Sequence, residues 1–387
     1  MTSTSPLAAS LTADERALVD SAARFRRGHV APRAAGWECA RQMPRESLRE
    51  AARLGLAAIE VPRAQGGRGA GFAAKALIAE ELARSCMAFA FSLINTQNVA
   101  ARIAGAGSTP QIARYLAPLL AGELIGATSL TEPQAGSDFP AITTTARRAG
   151  SGWVLDGEKA WLTNAALAEV IIVYAKTDAA PGSDGIAAFL VDARAPGFER
   201  LPPYALMGGH AIGAGGFRLK DYTADEHALF YPPGQAFKRA LASINGARTY
   251  VAAMCCGMVA ESLRIALDYA TRRRAFGKRL LDHQGLRWSL ADVATDLEAA
   301  RLLTYRAAEL IGRGEDAMLA AAHAKKFAVR MAQQRLGDCM QAMGAEGLRE
   351  DYPIGRHIAC ARIAGYVDGT TEMQNERIGA LLEKTYL

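Results

Sequence analysis

Several absences narrow what this 387-residue chain can do. No apolar run approaches the ~18 residues that a membrane span needs, so no membrane insertion is expected. The start, MTSTSPLAAS, has neither the basic opening nor the apolar core of a signal peptide, and a cytoplasmic protein is expected. The six cysteines (Cys39, Cys86, Cys255, Cys256, Cys339, Cys360) contain no C-x-x-C pair. Adjacent Cys255 and Cys256 would point in different directions on a helix. Buried thiols are expected, and no metal site. There is no dense basic tract. The net charge is +6, and the densest run is Arg272-Arg273-Arg274 with Lys278 and Arg279 after it. That is too mild to argue for nucleic acid, but it would help attract an anionic partner. The glycine-rich stretch Gln65–Gly71 lacks the strand, Lys and Ser/Thr of a phosphate loop, and reads as a flexible loop. No internal repeat or low-complexity tract is visible.

What is present reads as a soluble enzyme of two or three domains, with 50% hydrophobic and 22% charged residues. Residues 1–125 have helical periodicity. Thr12 is a plausible N-cap before Asp14 and Glu15, Gly28 and Pro32 interrupt, and Pro44 starts a helix that Gly55 ends. Phe72–Ser85 and Ala88–Ile103 are predicted helices, apolar around the whole circumference, as inside a bundle. Composition shifts at Gly126. Segments 142–148, 153–155, 170–176 and 186–191 are short and β-rich, and predict antiparallel strands of a small barrel or sandwich over 126–234. Residues 235–387 are helical again. Ile244, Ala247, Val251, Met254 and Met258 form one stripe, and Leu286, Leu290, Val293, Leu297 and Ala300 another. Further helices are predicted over 316–343 and 377–384, which makes a four-helix bundle. The fold class is mostly α with a central β domain.

Two motifs open the β-rich part. Thr128–Asp138 reads TSLTEPQAGSD. Its small residues, hydroxyls and Glu-Pro turn leave donors free for an acceptor-rich ligand. Gly157–Asn164 reads GEKAWLTN, after a hairpin turn expected at Asp156-Gly157. Trp161 and Thr163, two apart on a strand, would share one face. An indole beside donors suits a flat heteroaromatic cofactor. A polar hairpin that happens to hold these residues is the plain alternative. Together the two motifs resemble the flavin-binding middle domain of the acyl-CoA dehydrogenase family, and the helical–β–helical order extends the resemblance over nearly the whole chain.

The resemblance implies FAD. Thr128, Leu130, Thr131, Gly136 and Ser137 would be cofactor contacts. Thr131 and Thr163 would hydrogen-bond the flavin, with Trp161 against its face. Arg273-Arg274-Ala275-Phe276-Gly277, with His283-Gln284 further on, resembles the family segment that reaches the FAD pyrophosphate of a neighbouring subunit. Arg273, Phe276 and Gln284 are its matching positions. A guanidinium forks onto phosphate oxygens, although a basic helix end is the plain alternative. Gln341, Gly344 and Ala345 resemble a helix end under the adenosine half, with Ala345 where the family has a second Gly. Tyr366–Glu372 resembles the segment that carries the catalytic glutamate. Thr370 and Glu372 would lie along the FAD, and Asp368 replaces the glutamate as α-proton base. Ser137, Asn245, Arg248 and Gly369 would touch the substrate, with Asn245 where many relatives have Asp. A base on the preceding helix is closed off, because that position is Ala247.

The activity implied is α,β-dehydrogenation of an acyl thioester, carried by CoA or by an acyl carrier protein. A homotetramer or homodimer is implied, with an electron-transfer flavoprotein or oxygen as electron acceptor. Two alternatives stay open: an oxygen-using relative such as a nitroalkane oxidase, which also uses aspartate, and a non-catalytic FAD-binding member. The polar run Ser92, Asn95, Thr96, Gln97 and Asn98 on the expected pocket helix hints at a short or polar acyl group.

Overall fold

A computed structural model describes residues 6–387. The N-terminal part holds α1 (Pro6–Ala9), α2 (Ala13–Phe25), α3 (Ala34–Cys39), α4 (Arg45–Arg53), α5 (Phe72–Ala106) and α6 (Thr109–Leu120). α2 begins where its sequence predicts. Glu15 N–H donates to Thr12 Oγ1 (3.2 Å), and Thr12 N–H donates back to the Glu15 carboxylate (2.8 Å). A π-turn at Arg26–Val30 follows, in the stretch where Gly28 was expected to interrupt. The two helices expected over 72–103 are one helix, α5, kinked at Cys86 (φ −159°, ψ 100°). Its side chains are buried on nearly every face, as its all-round apolarity requires.

The middle part is one eight-stranded sheet: β1 (Gly126–Ser129), β2 (Thr145–Ala149), β3 (Gly152–Leu162), β4 (Val170–Lys176), β5 (Ile186–Asp192), β6 (Phe198–Arg200), β7 (Gly215–Ala224) and β8 (Leu229–Tyr231). The order is β6-β7-β3-β2-β4-β5-β8, with β1 also on β4. The sheet is mostly antiparallel, but β1 and β2 run parallel to β4. Antiparallel strands of a small barrel or sandwich were expected; the β domain is present and antiparallel-rich, with parallel pairs at β4, and among the described residues the end strands β6 and β8 do not pair. Alternation in a sequence reports a strand's two faces and says nothing of its neighbours' direction. The hairpin turn expected at Asp156-Gly157 is also corrected. β2 turns into β3 at Gly150-Ser151, and β3 runs through Gly157 with a register shift against β7. An Asp-Gly pair suits a bulge as well as a turn.

The C-terminal part holds α7 (Ala236–Arg272), a hairpin of β9 (Arg274–Ala275) and β10 (Lys278–Arg279), α8 (Gln284–Gly312), α9 (Met318–Ala342), α10 (Ile354–Tyr366), α11 (Thr371–Gly379) and α12 (Leu382–Tyr386). The bundle's fourth long helix is α10, not the predicted 377–384, which is split between α11 and α12. The buried face of α10 is built from Ile354, His357, Cys360, Ala361 and Ala364. One histidine and mostly small side chains make a stripe with little apolar contrast.

α7 packs on α5, α8 and α9 and lies at the centre of the molecule. It is also long and apolar enough to cross a membrane, which corrects the expectation that no segment approaches that length; 83% of its most apolar window is buried inside the protein. Alanine, methionine and cysteine supply that apolarity, as in a core helix. α5 and α7 approach closely at Gly257, where an added Cβ would lie 2.0 Å from the Glu80 carbonyl oxygen. Backbone cannot yield as a flexible side chain can. Gly257→Ala should therefore destabilise the protein by about 3 kcal/mol, the upper part of the range for overpacking. Equilibrium denaturation checks this. An unchanged midpoint would mean that the two helices are not in contact there.

Candidate active site

Two hydrogen-bonded supports frame the site, one under the TEPQAGSD loop and one at the turn between α10 and α11. The first lies under the TEPQAGSD loop. Glu132 accepts from the N–H and hydroxyl of Thr143 (2.6 and 2.9 Å) and of Thr144 (2.9 and 2.5 Å). Lys159 Nζ on β3 donates to the same carboxylate at 2.8 Å and to the Leu130 carbonyl at 3.3 Å. Both ends of this ion pair are buried. Burial alone would raise the Glu132 carboxyl, but the Lys159 charge and the threonine donors overcome it and hold it at about 2. Burial pulls the Lys159 ammonium down to about 8, against the opposing pull of Glu132.

This pair bolts the loop to β3, and Ala160 N–H donates to the Thr131 carbonyl at 3.0 Å. Thr131 thereby sits beside Trp161. Trp161 has φ +57° and is 62% exposed, with its ring 4.4 Å from that of Tyr204. The expected alternation of Trp161 and Thr163 along one strand is corrected. β3 shifts register between Lys159 and Leu162 and ends there, so Thr163 lies in the turn beyond. A positive φ, not strand pleating, aims the indole. Asn164 closes the segment. Its Nδ2 donates to the Ser92 carbonyl (3.0 Å), Thr96 Oγ1 (3.2 Å) and the Gly126 carbonyl (2.8 Å), which ties α5 to β1. Gly136 and Ser137 lie on the exposed rim of the loop, and Leu130 is partly buried.

The second support is the turn between α10 and α11. Asp368 has φ +54° and Gly369 φ +89°. A left-handed aspartate is uncommon and needs support from its surroundings. Every carbonyl of the turn has a donor. Lys325 Nζ on α9 donates to those of Val367 and Gly369. Arg248 Nε donates to that of Asp368 at 3.4 Å, and Gln374 Nε2 to those of Gly369 and Thr370 at 3.0 and 3.1 Å. Thr370 caps α11 by accepting from Met373 N–H. Arg248 Nη1 also donates to Asn245 Oδ1 at 3.2 Å. Asn245, Arg248, Asp368 and Gly369 are thus brought together.

The Asp368 carboxyl itself is different: its buried Oδ2 has no protein partner among the described residues. Burial raises its pKa, opposed by Lys325, Arg248 and Arg102. Arg102 on α5 donates to Thr128 Oγ1 at 3.1 Å, which joins β1 to the same site. Tyr250 on α7 also feels the carboxyl; burial first, then the Asp368 charge, raise its phenol well above the usual range. Asn98 donates to the Tyr250 hydroxyl (3.3 Å) and accepts from Lys75 (3.3 Å), while Gln97 donates to Glu60 at 3.1 Å. Ser92 and Thr96 instead serve the junction with the sheet. The polar run splits, and Gln97 and Asn98 join a hydrogen-bonded polar group with Glu60, Lys75 and Tyr250.

Other expected contacts lie apart. Arg273 and Phe276 sit on the exposed β9–β10 hairpin and Gln284 at the exposed start of α8. Phe276 is 96% exposed with φ +50°. Gln341, Gly344 (φ +59°) and Ala345 line the exposed end of α9, and Glu372 is exposed on α11. Glu372 alone of these adjoins the Asp368 turn, where the Thr370 hydroxyl beside its carboxylate holds it below the usual range. Two contributors escaped the sequence reading, Lys325 and Arg102. Lys325 stands on the buried stripe Ala321, Ala328, Ala332. A lysine at the i+4 position of an alanine stripe is a signal that the periodicity does carry. Arg102 has no comparable signal.

This arrangement, a carboxyl with a buried unpartnered oxygen on a left-handed turn between two helices, beside a mixed sheet, defines a class. Descriptions of the acyl-CoA dehydrogenase N-terminal, middle and C-terminal domains match residues 12–123, 127–222 and 234–382 in that order. The chain belongs to the acyl-CoA dehydrogenase family. It is 34% identical over 363 residues to the mitochondrial short-chain specific acyl-CoA dehydrogenase of Bos taurus, covering 94% of this chain and 88% of that protein. Butyryl-CoA dehydrogenase from Megasphaera elsdenii superposes with a TM-score of 0.92 at 31% identity, covering 97% of this chain and 99% of that one. A glutaryl-CoA dehydrogenase from Mycobacterium smegmatis, solved in complex with FADH2, gives 0.91 at 27% identity, covering 97% and 95%.

The Glu132–Lys159 pair yields a stability prediction. Glu132 lies at about 2 in the fold, below its ordinary 4.5. Its stabilisation is therefore present above about 4.5 and lost as pH falls through about 2. Lys159→Met leaves a buried carboxylate without its cation, which should cost about 3–5 kcal/mol at neutral pH. That cost should shrink as pH falls, because the unpaired Glu132, raised by burial, takes up a proton. Denaturant titrations across pH check both. A variant as stable as wild type would show that the loop is not held from below.

Proposed function

We propose that this chain is an FAD-dependent dehydrogenase that removes the α- and β-hydrogens of an acyl thioester, with Asp368 as the α-proton base. The observation that carries the reading is the Asp368 carboxyl, raised in pKa, with its buried Oδ2 unpartnered among the described residues. A group meant only to stabilise the fold would be paired. Relatives whose names specify short acyl-CoA substrates support the reaction class.

The residues fit FAD. Trp161 offers an exposed apolar face next to Thr131, where an isoalloxazine needs a wall and donors. Thr128, Leu130, Thr131, Gly136, Ser137, Trp161 and Thr163 would hold the flavin half, with Thr370 and Glu372 beside it. Gln341, Gly344 and Ala345 would hold the adenosine half. Arg273, Phe276 and Gln284 would reach the pyrophosphate in a neighbouring subunit. An exposed phenylalanine, with Trp288 and Leu348 also exposed, supports a homo-oligomer. When bound, FAD supplies the hydride acceptor for the β-hydrogen, and the electrons pass on to an electron-transfer flavoprotein or to oxygen.

The protein's own part is acid–base and positional. Asp368 Oδ2 is free to accept the α-proton, and its raised pKa favours holding it. Arg248, anchored on Asn245, holds the backbone of the base and faces the substrate with Ser137 and Gly369. The polar group that Gln97 and Asn98 form with Glu60, Lys75 and Tyr250 supports a short or polar acyl group over a long aliphatic one. CoA and carrier-protein thioesters share the reacting atoms.

The test is anaerobic mixing of the yellow holoprotein with a panel of acyl-CoAs and acyl-carrier proteins while flavin bleaching is followed. Bleaching by an acyl thioester is expected. Asp368→Asn should keep FAD and slow bleaching by about two orders of magnitude or more, the scale of a lost general base. Asp368→Glu should also be slower, because a carboxyl moved outward by about 1.5 Å crowds a pocket shaped for the shorter acid. Bleaching by a nitroalkane alone would favour an oxidase. Asp368→Asn bleaching at the wild-type rate would place the base elsewhere.

A further inference from the structure

Lys325 is 1% exposed, on the face of α9 turned to the base. Burying an ammonium without a purpose is costly. Its two backbone hydrogen bonds go to the carbonyls on either side of Asp368, those of Val367 and Gly369. No carboxylate forms a salt bridge with it among the described residues; the groups facing it are those two carbonyls, the nearby base, and the Arg248 guanidinium and Cys255 thiol of α7. The clasp bears on a turn that needs it. Asp368 and Gly369 are both left-handed, and the aspartate side chain contributes nothing to holding the turn, because Oδ2 is unpartnered.

We infer that Lys325 is a positioning residue for the dehydrogenation: its ammonium clasps the two carbonyls flanking Asp368, fixes the turn that aims the carboxyl, and places a positive charge beside the base. This inference rests on Asp368 as the base. The charged and titratable groups facing that carboxyl are Lys325 from α9, Arg248 and Tyr250 from α7 and Arg102 from α5. Burial lowers the Lys325 ammonium to about 8, and the Asp368 charge opposes that fall. The two groups therefore act on each other. Capping of the carbonyl end of α10 is the purely structural role available to Lys325. Such a cap would stabilise the turn without moving the titration of the base.

The sign is fixed. Lys325 lowers a carboxyl that burial has raised, so removing its charge must raise Asp368 further. A neighbouring opposite charge lowers a carboxyl by about one to three units. Lys325→Gln keeps amide donors for the clasp and removes the charge. Lys325→Met removes both. Two readouts on the FAD-loaded protein separate the possibilities. The first is pH-difference infrared spectroscopy, which follows the protonated-carboxyl band that Asp368→Asn abolishes and needs no substrate. The second is anaerobic single-turnover bleaching by butyryl-CoA across roughly pH 5 to 9. In both variants the infrared midpoint and the acid limb of the rate should move up by at least about one pH unit, which slows bleaching about tenfold at a fixed pH below the limb. Above the limb, Lys325→Met should remain slower than Lys325→Gln, because only it has lost the clasp. Should Lys325→Met fail to fold, the glutamine variant alone decides the charge. An unmoved infrared midpoint in Lys325→Gln, with wild-type bleaching at every pH, would overturn the inference. If instead the wild-type protein is not bleached by any acyl thioester, the reading of the reaction fails, while the infrared midpoint still reports on the clasp.

Discussion

One oxygen of the Asp368 carboxyl, Oδ2, is buried without a protein partner among the described residues, and most of the candidate site's architecture follows from that. A lone buried carboxylate is so unfavourable that it takes up a proton instead. Three cations from three helices, Arg102, Arg248 and Lys325, moderate the penalty without forming a close ion pair with it. A close pair would quench a base. A charge at one remove only tunes it. The three helices must therefore stay in register around the turn, and the tight crossing of α5 and α7 at Gly257 serves that end.

The sheet domain meets the same site with a different device. Its loop is shaped by a buried, fully hydrogen-bonded ion pair, Glu132 with Lys159. Here the charges are close and saturated, so they fix geometry and do no chemistry. The contrast separates the two carboxyls by role. Glu132 is driven to about 2 by its partners, whereas Asp368 is raised and keeps one oxygen free. Pairs of carboxyls pushed in opposite directions by their surroundings are a recurrent mark of divided labour. Asn164 and Arg102 join the two halves through Gly126 and Thr128 of β1.

The order of helical, β and helical parts was legible from periodicity and composition, and Asp368 from its place in a motif. Other features were not, for identifiable reasons. The aim of Trp161 depends on a bulge and a positive φ, which a period-2 pattern cannot encode. The parallel neighbours of β4 depend on chain routing. α10 escaped notice because its buried stripe is mostly small side chains around one histidine. α7 was read as one apolar stripe and not as a long apolar segment, although its small and sulfur-bearing residues make it one. Arg102 and Lys325 matter through atoms far away in the chain, the Thr128 hydroxyl and two carbonyls at the end of α10. Only the misfit of a lysine in an alanine stripe hinted at the second.

The central claim is that one carboxyl, Asp368, takes the α-proton of an acyl thioester. Mass spectrometry of butyryl-CoA recovered after anaerobic incubation with the holoprotein in deuterated water tests it without depending on an electron acceptor. The account predicts deuterium at the α-carbon with the wild-type protein and none above background with Asp368→Asn. Equal α-exchange by the two proteins would contradict it.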